Sequence, residues 1–326
     1  MKFTLIIPLA PERTAPILEP IKKLDYPKNK FHVIVSKGMN PSLNRNKGID
    51  RAEGDFIVFL DDDAVINSNY LKKIEEFFSK NPNIDVVGGP QLTPYDDSYF
   101  AKISGYALGS KFGAWKLANR YTLNKENLDA DETALTSANL ICKRKVVEKV
   151  RFDEKLFPGE DPKFIFDVKK QGFKIAYNPE IIVYHKRRPN FISFVKQMFN
   201  YGKTRPKKEN FFETLKKPFF LIPSLFFIYL ILLLGSVLVN PSLTRNVINI
   251  ENHNWNNPGF LWFLPLFIYA ILVLVFSFYD SLKNKDIKAI FVLPLIYPAI
   301  HLSYGAGMIY GYGGRLLDHN FSVGIT

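Results

Sequence analysis

The chain has 326 residues, of which 47% are hydrophobic and 15% aromatic, and it carries a formal net charge of +12. That length allows one sizeable soluble domain plus a further region, and a single cysteine, Cys142, excludes an intrachain disulfide framework and suits a reducing compartment. The positive charge is concentrated, because ten Lys/Arg between Lys186 and Lys217 face only Glu209 and Glu213, and the cluster directly precedes a long apolar run. This placement favours anionic membrane lipid as the partner and argues against nucleic acid.

Residues 3–7 form a short β-rich run closed by Pro8 and read as a buried first strand; no small-residue cleavage pattern follows them. A helix is expected over 17–24, a second strand over 31–35 and a helix over 41–52 closed by Gly54. The segment Phe56–Leu60 (FIVFL) is apolar on both faces, as a central parallel strand requires. An amphipathic helix over 67–80 stops at Asn81-Pro82, and another strand starts at 85–87. This alternation indicates an α/β domain with helices on both faces of a sheet. Residues 99–115 read as an amphipathic helix near a membrane, and 120–133 as a mobile polar loop. Helices over 145–150 and 161–171 and a strand over 181–184 complete the domain, which is placed at 1–190.

After a basic, interfacial segment at 191–217, residues 218–326 read as a membrane domain. Three segments, about 218–239, 259–279 and 287–312, carry almost no charge over the roughly 20 residues a hydrocarbon core requires. The basic residues lie before the first span and after the second (Lys283, Lys285, Lys288), whereas the loop after the first span has only Arg245 and includes Trp255. The expected topology is an integral protein of the cell membrane with a cytoplasmic N-terminal domain and the C-terminus outside.

Two acidic constellations carry chemistry. Asp61-Asp62-Asp63 directly follows FIVFL. At the C-terminal end of a parallel strand such carboxylates face a ligand crevice, and their oxygens suit Mg²⁺ or Mn²⁺ bridging a diphosphate; a solvated acidic turn is the plainer reading. Gly159-Glu160-Asp161 opens the helix over 161–171. A helix N-terminus favours an ionised carboxylate, which serves a general base, although helix capping uses the same residues.

Taken in order, these motifs and their neighbours resemble the inverting family-2 glycosyltransferases of the GT-A fold, a Rossmann-like mixed sheet with helices on both faces. The resemblance rests on Pro8 followed by Glu12, Asn44-Arg45-Asn46-Lys47-Gly48, Gly54-Asp55, and Asp61-Asp62-Asp63. It continues through Thr136-Ser137-Ala138-Asn139-Leu140, Gly159-Glu160-Asp161, Gly172-Phe173-Lys174 and Val183-Tyr184-His185. Gln197, Tyr201, Gly202 and Arg205 are similar to the "QxxxYGxxR" of the membrane-bound subgroup that makes exopolysaccharide and lipid-linked glycans, and His301-Leu302-Ser303-Tyr304-Gly305 is similar to its last helix.

The resemblance implies a nucleoside-diphosphate-sugar donor, a lipid-linked or glycan hydroxyl acceptor, and a divalent metal. It places Pro8, Glu12, Arg45, Asp61, Asp62, Gln197 and Arg205 on the donor or its diphosphate, and Asp63, Asp61 and His185 on the metal. Asp161 is implied as general base, with Glu160 placing acceptor or base. One departure stands out: the second strand ends Val35-Ser36-Lys37-Gly38-Met39-Asn40 without the acidic turn that reads the base in the family. A polyprenyl-phosphate glycosyltransferase also carries C-terminal spans but needs no strong base, and a silent sugar-nucleotide or partner-binding membrane module has no evident use for both acidic motifs.

Overall fold

The computed structural model describes residues 1–208, 211–241, 243 and 258–322. The expected outer loop with Arg245 and Trp255 lies outside them. The chain divides into two compact units, Met1–Asn190 and Phe191–Thr326.

In the first unit, strands β1 (Phe3–Leu9), β2 (Phe31–Lys37), β3 (Phe56–Leu60), β5 (Val86–Gly88), β7 (Asn139–Lys143) and β8 (Ile175–Tyr177) form a sheet of order β2-β1-β3-β7-β5-β8. β7 runs antiparallel to both β3 and β5, while the other pairs are parallel. A small sheet of order β4-β9-β6 is made by β4 (Ala64–Ile66), β6 (Gln91–Leu92) and β9 (Val183–His185).

The sheet divides its side chains by period two. Phe3, Leu5, Ile7, Val58 and Leu60 face one core, and Ile6, Ile57, Phe59, Leu140 and Cys142 face the other. The helices of this unit are α1 (Leu18–Lys22), α2 (Pro41–Asp50), α3 (Tyr70–Lys80), α4 (Tyr99–Leu108), α5 (Lys111–Ala114), α6 (Arg144–Lys149) and α7 (Glu160–Lys170). Leu71, Ile74, Phe77 and Phe78 of α3 close the first core. Ile49 of α2, Val146 and Val147 of α6, and Phe164, Ile165 and Val168 of α7 close the second. Each fully buried side chain of this size contributes about 1.5–3 kcal/mol.

Two expected segments differ. The region 99–115 breaks at Gly109, and α4 buries Ala101, Ile103 and Ala107, with Gly105 pressed against Thr93, so its apolar face is spent on the domain's own interior. The polar stretch 120–133 is pinned along β8 by the Asn127–Tyr177 bridge and the Ala130 N–H to Ile175 carbonyl bond at 2.9 Å. Backbone hydrogen bonds, to which periodicity is blind, hold it.

The second unit is helical: α8 (Phe191–Lys208), α9 (Phe211–Leu215), α10 (Ile222–Val239), α11 (Pro258–Lys283) and α12 (Leu293–Ser322). Among the described residues two helices are long and apolar enough to cross a membrane, Ile222–Val239 and Leu261–Lys283, each with mean hydropathy 2.5. The third expected span instead divides into a 3-10 turn, Ile287–Phe291, and α12, where His301, Ser303, Tyr304 and repeated glycines dilute the apolar character. Those glycines serve close packing: a Cβ on Gly202 of α8 would stand 2.1 Å from the Tyr304 carbonyl, and one on Gly307 of α12 would stand 2.1 Å from the Phe199 carbonyl.

Candidate active site

β3 is buried throughout, so the residues that follow it emerge at the C-terminal edge of the sheet, where open α/β sheets leave a crevice. Asp61, Asp62 and Asp63 occupy that turn. β4 then pairs antiparallel with β9 so that Ala64 stands opposite His185, and this register carries the imidazole onto the triplet. His185 Nε2 lies 3.4 Å from Asp61 Oδ2 and 3.1 Å from Asp63 Oδ1. Arg13, on the loop after β1, pairs through Nε with the buried Asp62 at 2.9 Å and through Nη2 with Asp63 Oδ2 at 2.9 Å.

The helix α2 organises the other side. Asn40 caps it, accepting from the Leu43 N–H at 3.2 Å, and Pro41 opens it, so the acid missing from this turn is replaced by a helix start. Three consecutive buried polar side chains follow. Asn44 donates to the Leu9 and Gly38 carbonyls at 3.3 and 2.8 Å, tying the ends of β1 and β2 together. Asn46 exchanges hydrogen bonds with the Phe152 backbone, at 2.9 and 3.0 Å. Between them Arg45 reaches Asp61 Oδ1 at 3.2 Å, Glu160 Oε1 at 3.0 Å and Asp161 Oδ1 at 3.8 Å.

Helix α7 supplies the last two groups. Its N-cap Gly159 has φ +112°, a conformation that side-chain-bearing residues rarely adopt. Glu160 is buried against Arg45, with 6% of its side chain exposed, whereas Asp161 is 25% exposed and accepts a hydrogen bond from Ser137 Oγ. Asp161 is therefore the more accessible carboxylate of this pair.

Five carboxylates thus meet two guanidiniums and one imidazole. Burial alone would raise Asp61 and Asp63, but His185, aided by Arg45 and Arg13 respectively, holds both below the ordinary carboxylate range. Burial raises Asp62 against the pull of Arg13. Burial would lower His185, yet the two aspartates raise it to about 9, so at neutral pH an imidazolium sits between them. Glu160 is pushed up to about 7 by burial and by Asp161, because one guanidinium shared among three carboxylates cannot offset all of them.

The sequence-expected residues divide by location. Asp61, Asp63, His185, Arg45, Glu160 and Asp161 converge, and Asp62 joins them through Arg13. Pro8 is buried in β1 opposite Ser36, and Glu12 is exposed on the following loop. Gln197 and Arg205 belong to α8 of the second unit; Gln197 donates to the Tyr201 hydroxyl at 3.0 Å and the Arg205 guanidinium lies 3.4 Å from the Phe220 ring centre. Arg13 went unnoticed in the sequence, although Pro11 and Pro16 bracket it directly after a strand that ends at the crevice. Ser137 was visible only as part of a motif.

A family model described as glycosyltransferase-like family 2 matches residues 12–202. The chain belongs to this family of glycosyltransferases. It is 24% identical over 280 residues to a dolichyl N-acetyl-α-D-glucosaminyl phosphate 3-β-D-2,3-diacetamido-2,3-dideoxy-β-D-glucuronosyltransferase of Methanococcus voltae, covering 82% of this chain and 74% of the relative. It is 30% identical over 160 residues to the O-antigen chain rhamnosyltransferase WbaN of Salmonella anatum, covering 48% of this chain and 49% of that one. The glycosyltransferase thus spans only about half the length of the second relative. The fold is GT-A: the mannosyltransferase PcManGT of Pyrobaculum calidifontis, whose structure was solved with GDP-Man and Mn²⁺, superposes with a TM-score of 0.54 at 13% identity, covering 96% of this chain and 88% of that one.

No group of three or more His, Cys, Asp or Glu side chains forms a ready metal shell among the described residues. The donor set nevertheless fits a divalent cation. One oxygen each of Asp61 and Asp63 converges on a single point, now taken by the His185 N–H. His185 Nδ1, on the other edge of the ring, is buried without a hydrogen bond.

Proposed function

We propose that this glycosyltransferase moves a sugar from a nucleoside-diphosphate sugar to a hydroxyl of a lipid-linked glycan at the cytoplasmic membrane face, with inversion at the anomeric carbon. The observation that carries the reading is the gathering of Asp61 and Asp161 around the buried Arg45, with Asp63 joined to Asp61 through His185. Donor and acceptor would meet between these carboxylates. The acceptor class draws support from the name of the Methanococcus relative, and the membrane location from the two apolar helices.

Asp161 takes the proton from the acceptor hydroxyl as its oxygen bonds to the anomeric carbon, and the Ser137 hydrogen bond aims the carboxylate. The bond between that carbon and the diphosphate oxygen breaks on the opposite face, and the electron pair leaves with the nucleoside diphosphate. Glu160 and Arg45 act by position, fixing Asp161 relative to Asp61. Asp61 contacts the ribose or sugar of the donor. Asp61, Asp63 and a neutral His185 would hold Mg²⁺ or Mn²⁺, which when bound offsets charge developing on the leaving group.

The test is nucleoside-diphosphate release by the detergent-solubilised protein from a panel of UDP-, GDP- and dTDP-sugars with Mn²⁺ or Mg²⁺ and membrane lipid extract. Release stimulated by metal and lipid is expected, with Asp63→Ala and Asp161→Asn each losing about 100-fold or more. Full release by Asp161→Asn would overturn the base assignment and favour a phosphate acceptor. Failure of every donor would favour a silent binding module.

A further inference from the structure

Among the described residues, Arg13 is the one cation at the site that the family motifs leave without a task. Its guanidinium spans Asp62 and Asp63 at 2.9 Å each, yet 55% of its side chain is exposed. It rides on five consecutive exposed residues, 10–14, held between two buried anchors, Leu9 and Ile17, and the Ile17 N–H bonds the Asp62 carbonyl at 3.1 Å. The loop root is therefore fixed to the acidic turn while the arginine above it is more than half exposed to solvent. It holds Asp63 through Oδ2, while the point that suits a divalent cation faces Oδ1 of the same carboxylate, so the two would compete through charge rather than for one oxygen. A guanidinium and a dication cannot both lie against one carboxylate without repulsion.

We propose that Arg13 is an exchange residue: it neutralises Asp62 and Asp63 while the site is empty, and on arrival of the metal and donor it yields Asp63 to the cation and pairs with the diphosphate. The inference rests on the metal-dependent donor reading above. A guanidinium matches phosphate oxygens in a two-point fork, so the pairing it gives up is replaced by one of similar strength. The arrangement makes cation and donor bind together, because the cation alone meets the repulsion of Arg13 without offering it a new partner.

The prediction has opposite signs for two ligands. Removing the charge with Arg13→Gln tightens Mn²⁺ binding to the donor-free protein by about three- to tenfold, and weakens binding of the nucleoside diphosphate in saturating Mn²⁺ by roughly tenfold. Arg13→Lys, which keeps the charge and loses the fork, should leave Mn²⁺ affinity near wild type and still weaken the diphosphate. Mn²⁺ is followed by the loss of its free-ion EPR signal, and the UDP or GDP by calorimetry, on the full-length protein in detergent, with Asp63→Asn as the site control. Opposed shifts support the exchange. Unchanged affinities, or equal weakening of both ligands, in a variant that keeps the wild-type melting temperature would overturn it and leave Arg13 a structural ion pair. Absence of any Mn²⁺ or nucleotide binding by wild type would overturn the metal-dependent reading itself, and the exchange with it.

Discussion

Glu160 and Asp161 are adjacent in the chain and opposite in circumstance, and the difference is measurable. Glu160 is buried against a guanidinium that also serves Asp61 and Asp161, and its pKa rises from 4.5 to about 7. Between those two values the native state keeps a proton that the unfolded chain has lost. Stability is thus greatest below the unfolded pKa and falls as pH rises through 4.5 to about 7, by roughly 1–3 kcal/mol. Glu160→Gln keeps the shape and cannot titrate, so its denaturant midpoint should be flatter across this range. An identical slope in the variant would refute the assignment. The sequence made the acids themselves legible, because a run of three aspartates after FIVFL and a Gly-Glu-Asp helix start are local patterns. It did not reveal that Arg45 stands among the carboxylates, since that position follows from contacts with residues 61, 160 and 161, which no local window contains. Nor did it single out Arg13, whose meaning comes from partners about 50 residues away.

Length explains part of which elements were legible, although three-residue β5 and β9 were anticipated and five-residue β7 was not. The seven-residue β1 is long enough to show as an apolar run and the 11-residue α3 to display a helical period, and both lie where the pattern puts them. β4 and β8 have three residues and β6 has two, too few for any period, and they exist because neighbouring strands supply their hydrogen bonds. Yet β4 is the strand that brings His185 to the aspartates. In the second unit, α8 reads from its charge as an interfacial helix, but its glycine faces are the more informative feature. Gly307 of α12 lies against the Phe199 backbone of α8 with no room for a side chain. Gly307→Leu should therefore lower the thermal unfolding midpoint in detergent, at a cost of about 3 kcal/mol or more, since backbone on both sides must move. The control is Gly235→Leu on α10, where nothing lies within 4 Å; leucine there should be neutral or slightly stabilising through helix propensity. Equal losses at the two sites would show that the close approach is unimportant.

At the scale of the whole molecule, the proposed membrane location predicts a side for each part, and the chain offers its own probe. Cys142, the single cysteine, is buried in β7, and burial raises its thiol well above the usual range, so it resists labelling in the folded protein. The native chain is thus a silent background for introduced cysteines. Two positions belong on one side if the basic residues set orientation: Lys47, exposed on α2, and Lys288, exposed after α11. Asn252 lies in the connection between the two apolar helices and belongs on the other. In intact cells a membrane-impermeant maleimide should modify Asn252→Cys and spare Lys47→Cys and Lys288→Cys until the membrane is opened. In the proposed topology the absence of charge in each apolar helix favours insertion, and the excess of Lys/Arg before the first one would set its direction, since those charges resist translocation. Labelling of Lys47→Cys in intact cells would place the carboxylates outside, away from any cytoplasmic supply of nucleoside-diphosphate sugar. That result would demand a different donor and, with it, a different chemistry for Asp63.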